Sequence, residues 1–336
     1  MKVSILRAPG MRNNTIFDLG SPQNRDNCFA PYALLREELL KKNIQLQTSD
    51  IATQSPVAFE LHQDVQPDSL SADKYLMLFE TKFIKPENGN HKLFSSYRKV
   101  FTWDERLVDN DHIIKINFPN ELRVNDVDGI TSRNQFCCLI SSNRALTIAS
   151  TNDLYSERII AIKWFEKNAP ADFHLYGIDW NLPAAKAGYI GKIQRRTWPL
   201  INRVLKSEPF PSYRGKIESK YEVLKKTRFS ICYENVKDLP GYITEKIFDC
   251  FFAGCIPIYW GASNITDYIP ADCFIDRRKF SNMQDLYNLL KKMPDSEYTA
   301  YQQRIADFLK SKLAHPFSSP FFAETIVNTI VKDLER

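Results

Sequence analysis

The chain of 336 residues contains no uninterrupted apolar run of the ~18 residues that a bilayer span requires. Its opening, residues 1–7, holds only a four-residue apolar stretch before Arg7, too short for the core of a secretion signal. The expectation is a cytosolic protein whose membrane contact is peripheral at most. No Cys-x-x-Cys pair occurs; the seven cysteines are odd in number and sit mostly in apolar runs such as Phe136-Cys137-Cys138-Leu139-Ile140, which reads as buried free thiols. The five histidines, at 62, 91, 112, 174 and 315, lack ligand spacing, so structural zinc is not expected. A phosphate loop and a Gly-x-Gly-x-x-Gly turn are both absent, which argues against an ATPase or an NAD enzyme. Repeats and low-complexity tracts are missing as well. The excess of one charge sign is small too: the net charge of +5 fits an anionic small-molecule ligand and falls short of a nucleic-acid binder. The cluster Lys216, Lys220, Lys225, Lys226 and Arg228 reads as a solvated face beside such a ligand.

What is present is the balance of an ordinary globular protein, 43% hydrophobic and 25% charged, in a chain long enough for two cores. Short apolar runs alternate with longer amphipathic ones, the rhythm of an α/β protein. In the first half, 31–42 reads as a helix, while 74–79, 99–103 and 113–118 read as strands. The polar, turn-rich stretch 119–134 is the expected linker. The expected domains are therefore 1–135 and 136–315, followed by a C-terminal helix within 316–336. Beyond the linker, 136–140 and 173–176 read as strands around a helix at 156–168, and 180–219, rich in Gly, Pro and basic side chains, reads as irregular. A short helix at 221–226 precedes a strand at 228–233. Thr244 then caps a helix through 253, with Ile247, Phe248, Phe251 and Phe252 inward and Gly254 just past its end. Strands at 256–260 and 274–276, a helix capped by Ser281 and another at 296–313 follow. Such alternation implies parallel sheets covered on both faces.

Parallel sheets bind ligands where strand ends lead into helix N-termini, and the loop 234–244 joins such a strand to a helix opening Thr244-Glu245-Lys246. Unpaired N–H groups plus a lysine make a seat for phosphate and suggest a nucleotide diphosphate, although a Thr cap with Glu and Lys is also ordinary helix chemistry. The longer run 229–261 is more specific. It holds Tyr233-Glu234-Asn235, then Tyr242-Ile243-Thr244-Glu245-Lys246, an apolar helix ending in Gly254, and Ile256-Pro257-Ile258-Tyr259-Trp260-Gly261. In that order it resembles the motif of the α1,3-fucosyltransferases of glycosyltransferase family 10, and the resemblance extends over about 220–280. Fainter echoes occur at Ser142-Asn143, Arg158, Tyr213-Arg214-Gly215-Lys216 and Glu80.

The resemblance implies a GT-B architecture, two Rossmann-like domains with parallel sheets facing a central cleft, acceptor held by the first and GDP-fucose by the second. It implies inverting transfer of L-fucose from GDP-β-L-fucose to a hydroxyl of an oligosaccharide or lipid-linked glycan, α1,3 to a GlcNAc-type residue. On the matching positions, Glu245 resembles the carboxylate that serves the donor sugar, Lys246 a cation on the pyrophosphate, and Asn235 and Tyr242 donor contacts. Arg158 is the expected second phosphate cation, because departing GDP gains negative charge that a fork of donors stabilises without an acid. No cofactor is required on this reading, and a divalent metal would stimulate at most. The base for the acceptor hydroxyl is expected at Glu80, at the end of the strand 74–79, with Asp104 and Glu105 as substitutes. Asp109-Asn110-Asp111 and Asp126-Val127-Asp128 have a metal-binding pattern but lie in polar stretches that need no metal.

The chain departs from the family at Val236, where a Ser or Thr is usual, and it carries no heptad array or basic amphipathic tail at its end. Its last helix, about 320–334, presents Phe321, Phe322, Ile326, Val327 and Ile330 for packing back on the protein, with packing across the two domains as one expectation. A transferase for another GDP-6-deoxy sugar and a catalytically silent nucleotide-sugar or glycan-binding module are the alternative readings, and residues 81–98 could remodel the acceptor side.

Overall fold

A computed structural model describes residues 2–51, 57–66, 71, 73–205 and 207–335. The chain divides into two compact units, 1–122 with 314–336, and 123–313.

The first unit is a six-stranded parallel sheet formed by β1 (Lys2–Arg7), β2 (Ile44–Thr48), β3 (Val57–Gln63), β4 (Lys74–Leu78), β5 (Lys99–Thr102) and β6 (Ile113–Lys115), in the order β2-β1-β3-β4-β5-β6. Strand alternation divides the side chains between two cores. Tyr75 and Met77 face one side with Phe59, Leu61 and Phe101, while Leu76 and Leu78 face the other with Phe94, Tyr97 and Val100. The first side is covered by α1 (Ala30–Lys41), through Leu35 and Leu39, and by the C-terminal helix Ser319–Leu334, through Phe322, Ala323, Ile326, Val327 and Ile330. Each buried Leu, Ile, Val or Phe side chain among these contributes about 1.5–3 kcal/mol. The C-terminal helix thus packs back as its periodicity predicts, and its place is in the first unit. Phe321 is only partly buried.

The second unit is a five-stranded parallel sheet of β7 (Gln135–Ile140), β8 (Phe173–Tyr176), β9 (Thr227–Tyr233), β10 (Ile256–Trp260) and β11 (Ile275–Asp276), ordered β11-β10-β9-β7-β8. Its helices are α2 (Leu154–Asn168), α3 (Gly188–Leu205), α4 (Lys220–Leu224), α5 (Glu245–Phe252), α6 (Met283–Lys292) and α7 (Asp295–Lys310). Phe165 of α2 and Leu286 and Leu290 of α6 pack with Phe229, Ile231 and Ile258 in one core. Phe248 and Phe251 of α5 meet Phe308 of α7, with ring centroids 6.4 and 5.8 Å apart. The helix α5 stops at Gly254, whose φ of 62° and contact with Arg133 leave no room for a Cβ; an added one would lie 2.8 Å from Nη2.

Three expectations are corrected. The units part at 122/123, inside the polar stretch and before position 135, because Arg133 is buried in the second unit, donating to the carbonyls of Leu224, Thr227 and Ala253. The stretch 180–219 is not wholly irregular: α3 occupies 188–205 despite Pro199 in its interior. The cap of α6 is Asn282, whose side chain accepts from the Asp285 N–H at 2.9 Å, and Ser281 only supports it by donating to the Asp285 carboxylate. Six cysteines are buried as expected; Cys28 is exposed.

Candidate active site

In the second sheet the chain runs outward from β7 to β8 and then, from β9, outward the other way to β10 and β11, so the order reverses between β7 and β9. A crevice forms at such a reversal, at the carboxyl ends of the strands. Two loops and two helices converge there: β7 leads toward α2, which carries Arg158, and β9 leads through Glu234 and Asn235 to the N-terminus of α5.

Local sequence fixes α5. Thr244 adopts an extended backbone, and its hydroxyl accepts from the Lys246 N–H. The structure adds the group that holds this cap, Glu234, which is fully buried. Its Oε1 accepts from the Thr244 N–H at 2.8 Å and its Oε2 from the Thr244 hydroxyl at 2.7 Å. Lys246 Nζ folds over the same pair, donating to Thr244 Oγ1 at 2.9 Å and lying 3.3 Å from Glu234 Oε2. Room for Glu234 comes from Gly261, where an added Cβ would stand 2.4 Å from Glu234 Cγ and 2.5 Å from the Tyr259 hydroxyl. The glutamate of Tyr233-Glu234-Asn235 and the last glycine of the 256–261 segment are therefore one feature: a carboxylate pressed against a bare backbone.

Arg158 sits five residues into α2 on its buried stripe with Leu154, Ala161, Ile162 and Phe165. Its Nη2 donates to the carbonyls of Tyr233 and Glu234 at 2.6 and 2.8 Å and to Asn235 Oδ1 at 3.1 Å, and its guanidinium lies 4.7 Å from the Tyr155 ring centre. Asn235 in turn donates from Nδ2 to the Tyr242 hydroxyl at 3.2 Å. Arg158, Asn235 and Tyr242 are thus brought together as sequence reasoning asked, but as a relay: the Tyr242 ring is buried and its hydroxyl meets Asn235. Val236 is fully buried and pairs with Asp153, so its side chain belongs to the core.

Lys220 is the cation that sequence reasoning assigned to a solvated face. It lies 2.7 Å from Asp249 Oδ2 and 3.8 Å from Glu245 Oε1, while Lys246 Nζ is 3.7 Å from the same Glu245 oxygen. Desolvation works against charge on Glu245, yet Lys246 and Lys220 hold its carboxyl down to about 2. On Asp249, desolvation prevails over Lys220, and with Glu245 nearby the carboxyl is pushed up to about 7. One lysine shared by two carboxylates favours ionisation of one of them. Glu245 is therefore a carboxylate at neutral pH, fit to accept hydrogen bonds and to face positive charge, and unfit to donate a proton. Beneath these heads is a cavity of about 30 Å³, lined by Ser141, Arg158, Lys220, Tyr233, Lys246 and Asp249, with room for about one water.

In the first unit the loop after β4 presents Glu80. Asp64, buried and with a φ of 61°, accepts from the Phe79 and Glu80 N–H groups at 2.8 and 3.0 Å, and Asn88 donates to the Glu80 carbonyl at 2.8 Å. Of its substitutes, Asp104 is held bidentately by Arg106 Nε and Nη2 at 2.8 and 2.6 Å, which occupies it structurally. Glu105 is partly exposed. The two acid-x-acid patterns have structural partners: Asp109 accepts from the Asp111 and Ile113 N–H groups, and Asp128 pairs with Arg133 and Gln302. Among the described residues no group of three or more His, Cys, Asp or Glu side chains could hold a metal ion.

Residues 202–313 match the family model described as glycosyltransferase family 10 (fucosyltransferase) C-term. This stretch is similar to the C-terminal domain of the family 10 fucosyltransferases. Over 81 residues, 23% of the chain, the protein is 38% identical to an alpha-(1,4)-fucosyltransferase of Arabidopsis thaliana, and that stretch covers 20% of the plant protein. Over 75 residues it is 33% identical to the alpha-(1,3)-fucosyltransferase FucT of Helicobacter pylori, covering 22% of this chain and 16% of that one. The chain therefore matches about a fifth or less of the length of these relatives. An alpha1,3-fucosyltransferase solved with GDP-fucose superposes over the whole chain and 92% of its own, with a TM-score of 0.55 at 14% identity. That likeness shows the fold alone, two Rossmann-like α/β units of the GT-B class. The matched stretch contains Lys220, Glu234, Asn235, Tyr242, Glu245 and Lys246; Arg158 and Glu80 lie outside it.

Proposed function

We propose that the chain is an inverting α1,3-fucosyltransferase, moving L-fucose from GDP-β-L-fucose to a hydroxyl of a GlcNAc-type oligosaccharide. The observation that carries this reading is the cation cluster at the sheet's reversal point: Arg158, Lys220 and Lys246 converge with the capped N-terminus of α5 beside an ionised Glu245. A sugar nucleotide needs that combination, cations and N–H groups for a pyrophosphate and a carboxylate for the sugar beside it. The 30 Å³ cavity is far too small for a nucleotide, so the donor lies over the charged heads and exchanges their internal carboxylate contacts for phosphate oxygens.

In the transfer, the acceptor oxygen forms a bond to the fucose anomeric carbon while the bond from that carbon to the β-phosphate oxygen breaks, inverting the centre. Electrons of the broken bond leave with GDP, and Lys246 and Arg158 stabilise the added charge, so no protonated acid is required and no metal is invoked. Glu245, anionic, supports the sugar's hydroxyls and the positive charge that develops on its ring. The proton of the attacking hydroxyl passes to Glu80, whose backbone Asp64 and Asn88 fix.

The test is incubation of the purified chain, without divalent metal, with GDP-fucose or GDP-mannose and a panel including N-acetyllactosamine and lactose, reading products by mass. Addition of one fucose, lost in Glu245→Ala and reduced by about 10²–10³ in Lys246→Ala, is the expected result. A chain that neither binds nor consumes GDP-fucose with any acceptor would sink the proposal. Binding without transfer would move the reading to a silent nucleotide-sugar module.

A further inference from the structure

The helix α3 turns an apolar stripe to solvent. A surface helix ordinarily buries its apolar stripe and exposes its polar one. Here Ile193, Leu200 and Ile201, spaced i, i+7 and i+8 and so on one stripe, are 54%, 65% and 44% exposed. Among the described side chains on the opposite side, Trp198 is half-buried and Arg195 donates to the Asn143 carbonyl and to Asp179 Oδ2, both at 3.1 Å. Arg196 and Arg203, one stripe round from the apolar residues, are exposed as well. Between Asp179 and Glu208 the sequence has no acidic residue and six basic ones, Lys186, Lys192, Arg195, Arg196, Arg203 and Lys206.

We propose that this face of α3 docks on an anionic lipid surface, lying in the plane of the interface with Ile193, Leu200 and Ile201 entering the acyl boundary and Arg196 and Arg203 among the headgroups. Charge decides the occupant. An amphipathic helix with a basic flank and no acid is attracted to a surface carrying negative charge. A second copy of the same helix would instead set Arg196 and Arg203 against their own kind with no carboxylate from either helix to pair them. The helix does not cross the bilayer, since no helix among the described residues is long and apolar enough to do so. The inference goes beyond the sequence expectation, which allows membrane contact that is peripheral at most, and it does not depend on the proposed transfer reaction.

The experiment is sedimentation of the full chain with vesicles of phosphatidylcholine alone or with phosphatidylglycerol added, for the wild type and two double variants, Ile193→Asp with Leu200→Asp and Arg196→Glu with Arg203→Glu. The wild type should bind the phosphatidylglycerol vesicles, release in high salt and ignore phosphatidylcholine. Each double variant should bind at least about tenfold more weakly, with an unchanged Tm because the altered side chains face solvent. A second measurement uses no variant: hydrogen exchange of the wild type on the same vesicles should slow within 188–205. Failure of the wild type to bind, variants that bind as it does, or protection confined to other segments would each overturn the proposal. So would a dimer in light scattering that Leu200→Asp dissolves, which would assign the face to a second copy.

Discussion

Both units reverse strand order once, the first between β1 and β3 and the second between β7 and β9, yet the two reversal points are filled differently. In the second, Lys220 and Lys246 are met by carboxylates at the rim of a water-sized cavity, Glu245 and Asp249 share Lys220, and Arg158 donates to two backbone carbonyls and the Asn235 amide oxygen. In the first, Arg7 at the end of β1 closes on Glu60 with two bonds of 3.0 Å; Glu60 is fully buried and also meets His62 at 2.8 Å, which reaches the Tyr97 hydroxyl at 3.1 Å. One site has spare cationic capacity for an anion, and the other spends its arginine on an internal carboxylate. The same topological position can thus be a ligand seat or a structural lock, and the balance of buried charge decides which.

The sharpest way to break this comparison is to remove a cation from each side. Lys246→Ala should lower fucose transfer by about 10²–10³ while the protein stays folded, since its lost partner Glu234 keeps two bonds to Thr244. Arg7→Met should leave donor binding by the second unit intact yet cost the fold about 3–5 kcal/mol, because Glu60 is left as a buried charge without its guanidinium; denaturant unfolding reads this, and Glu60→Gln in the same background should recover part of it. A variant Arg7→Met that instead abolished GDP-fucose binding would erase the distinction.

A smaller effect sharpens the second site. Glu234→Gln keeps the size but removes the charge that holds Lys246 and accepts twice from Thr244, so α5 should lose about 1–2 kcal/mol of cap stability. The KM for GDP-fucose should rise more than kcat falls, as steady-state kinetics would show. The smallest effect is one of pH. The Asp249 carboxyl, lifted to about 7 by desolvation, is ionised above that pH and neutralises Lys220; below it, Lys220 is left for a phosphate. Affinity for GDP-fucose, whose pyrophosphate does not titrate in this range, should therefore rise a few-fold from pH 8 to pH 6 in calorimetry, and Asp249→Asn should flatten the profile. The sign for stability is the same: the folded state holds a proton on Asp249 that the unfolded chain releases near 3.8, so this group's contribution declines as pH rises through 7. Glu245 is the opposite case, its carboxyl lowered to about 2 and its contribution lost as pH falls from 4.5 toward that value.

The segment β9, α5 and β10 was legible because each of its signals is local. A buried strand is a short apolar run, a helix start is Thr244 with the two residues after it, and a helix end is a glycine in the left-handed region at 254. Glu80 was placed at a strand end by the same periodicity, whereas Arg158 was marked only by the faint family resemblance and its burial on an apolar stripe came from the structure. The helix α3 was not legible, because Gly188, Gly191 and Pro199 carry the composition of a loop and its apolar stripe has no core to face. Glu234 and Lys220 were not singled out, because nothing adjacent in sequence marks a glutamate as buried or a lysine in a basic cluster as turned inward.

The sequence by itself determined the α/β alternation, the capped helix start at Thr244-Glu245-Lys246 and the family that this run resembles, since each depends on residues within a turn or two of one another. Tertiary structure alone decided the rest: that Glu234 of one strand end caps Thr244 ten residues later, that Arg158 reaches across 75 residues to the Tyr233 carbonyl, that 123–134 belongs to the second unit, and that α3 faces outward. The reason is that burial and charge pairing are properties of neighbours in space, and a carboxylate or guanidinium acquires its role only when the fold supplies a partner or withholds one.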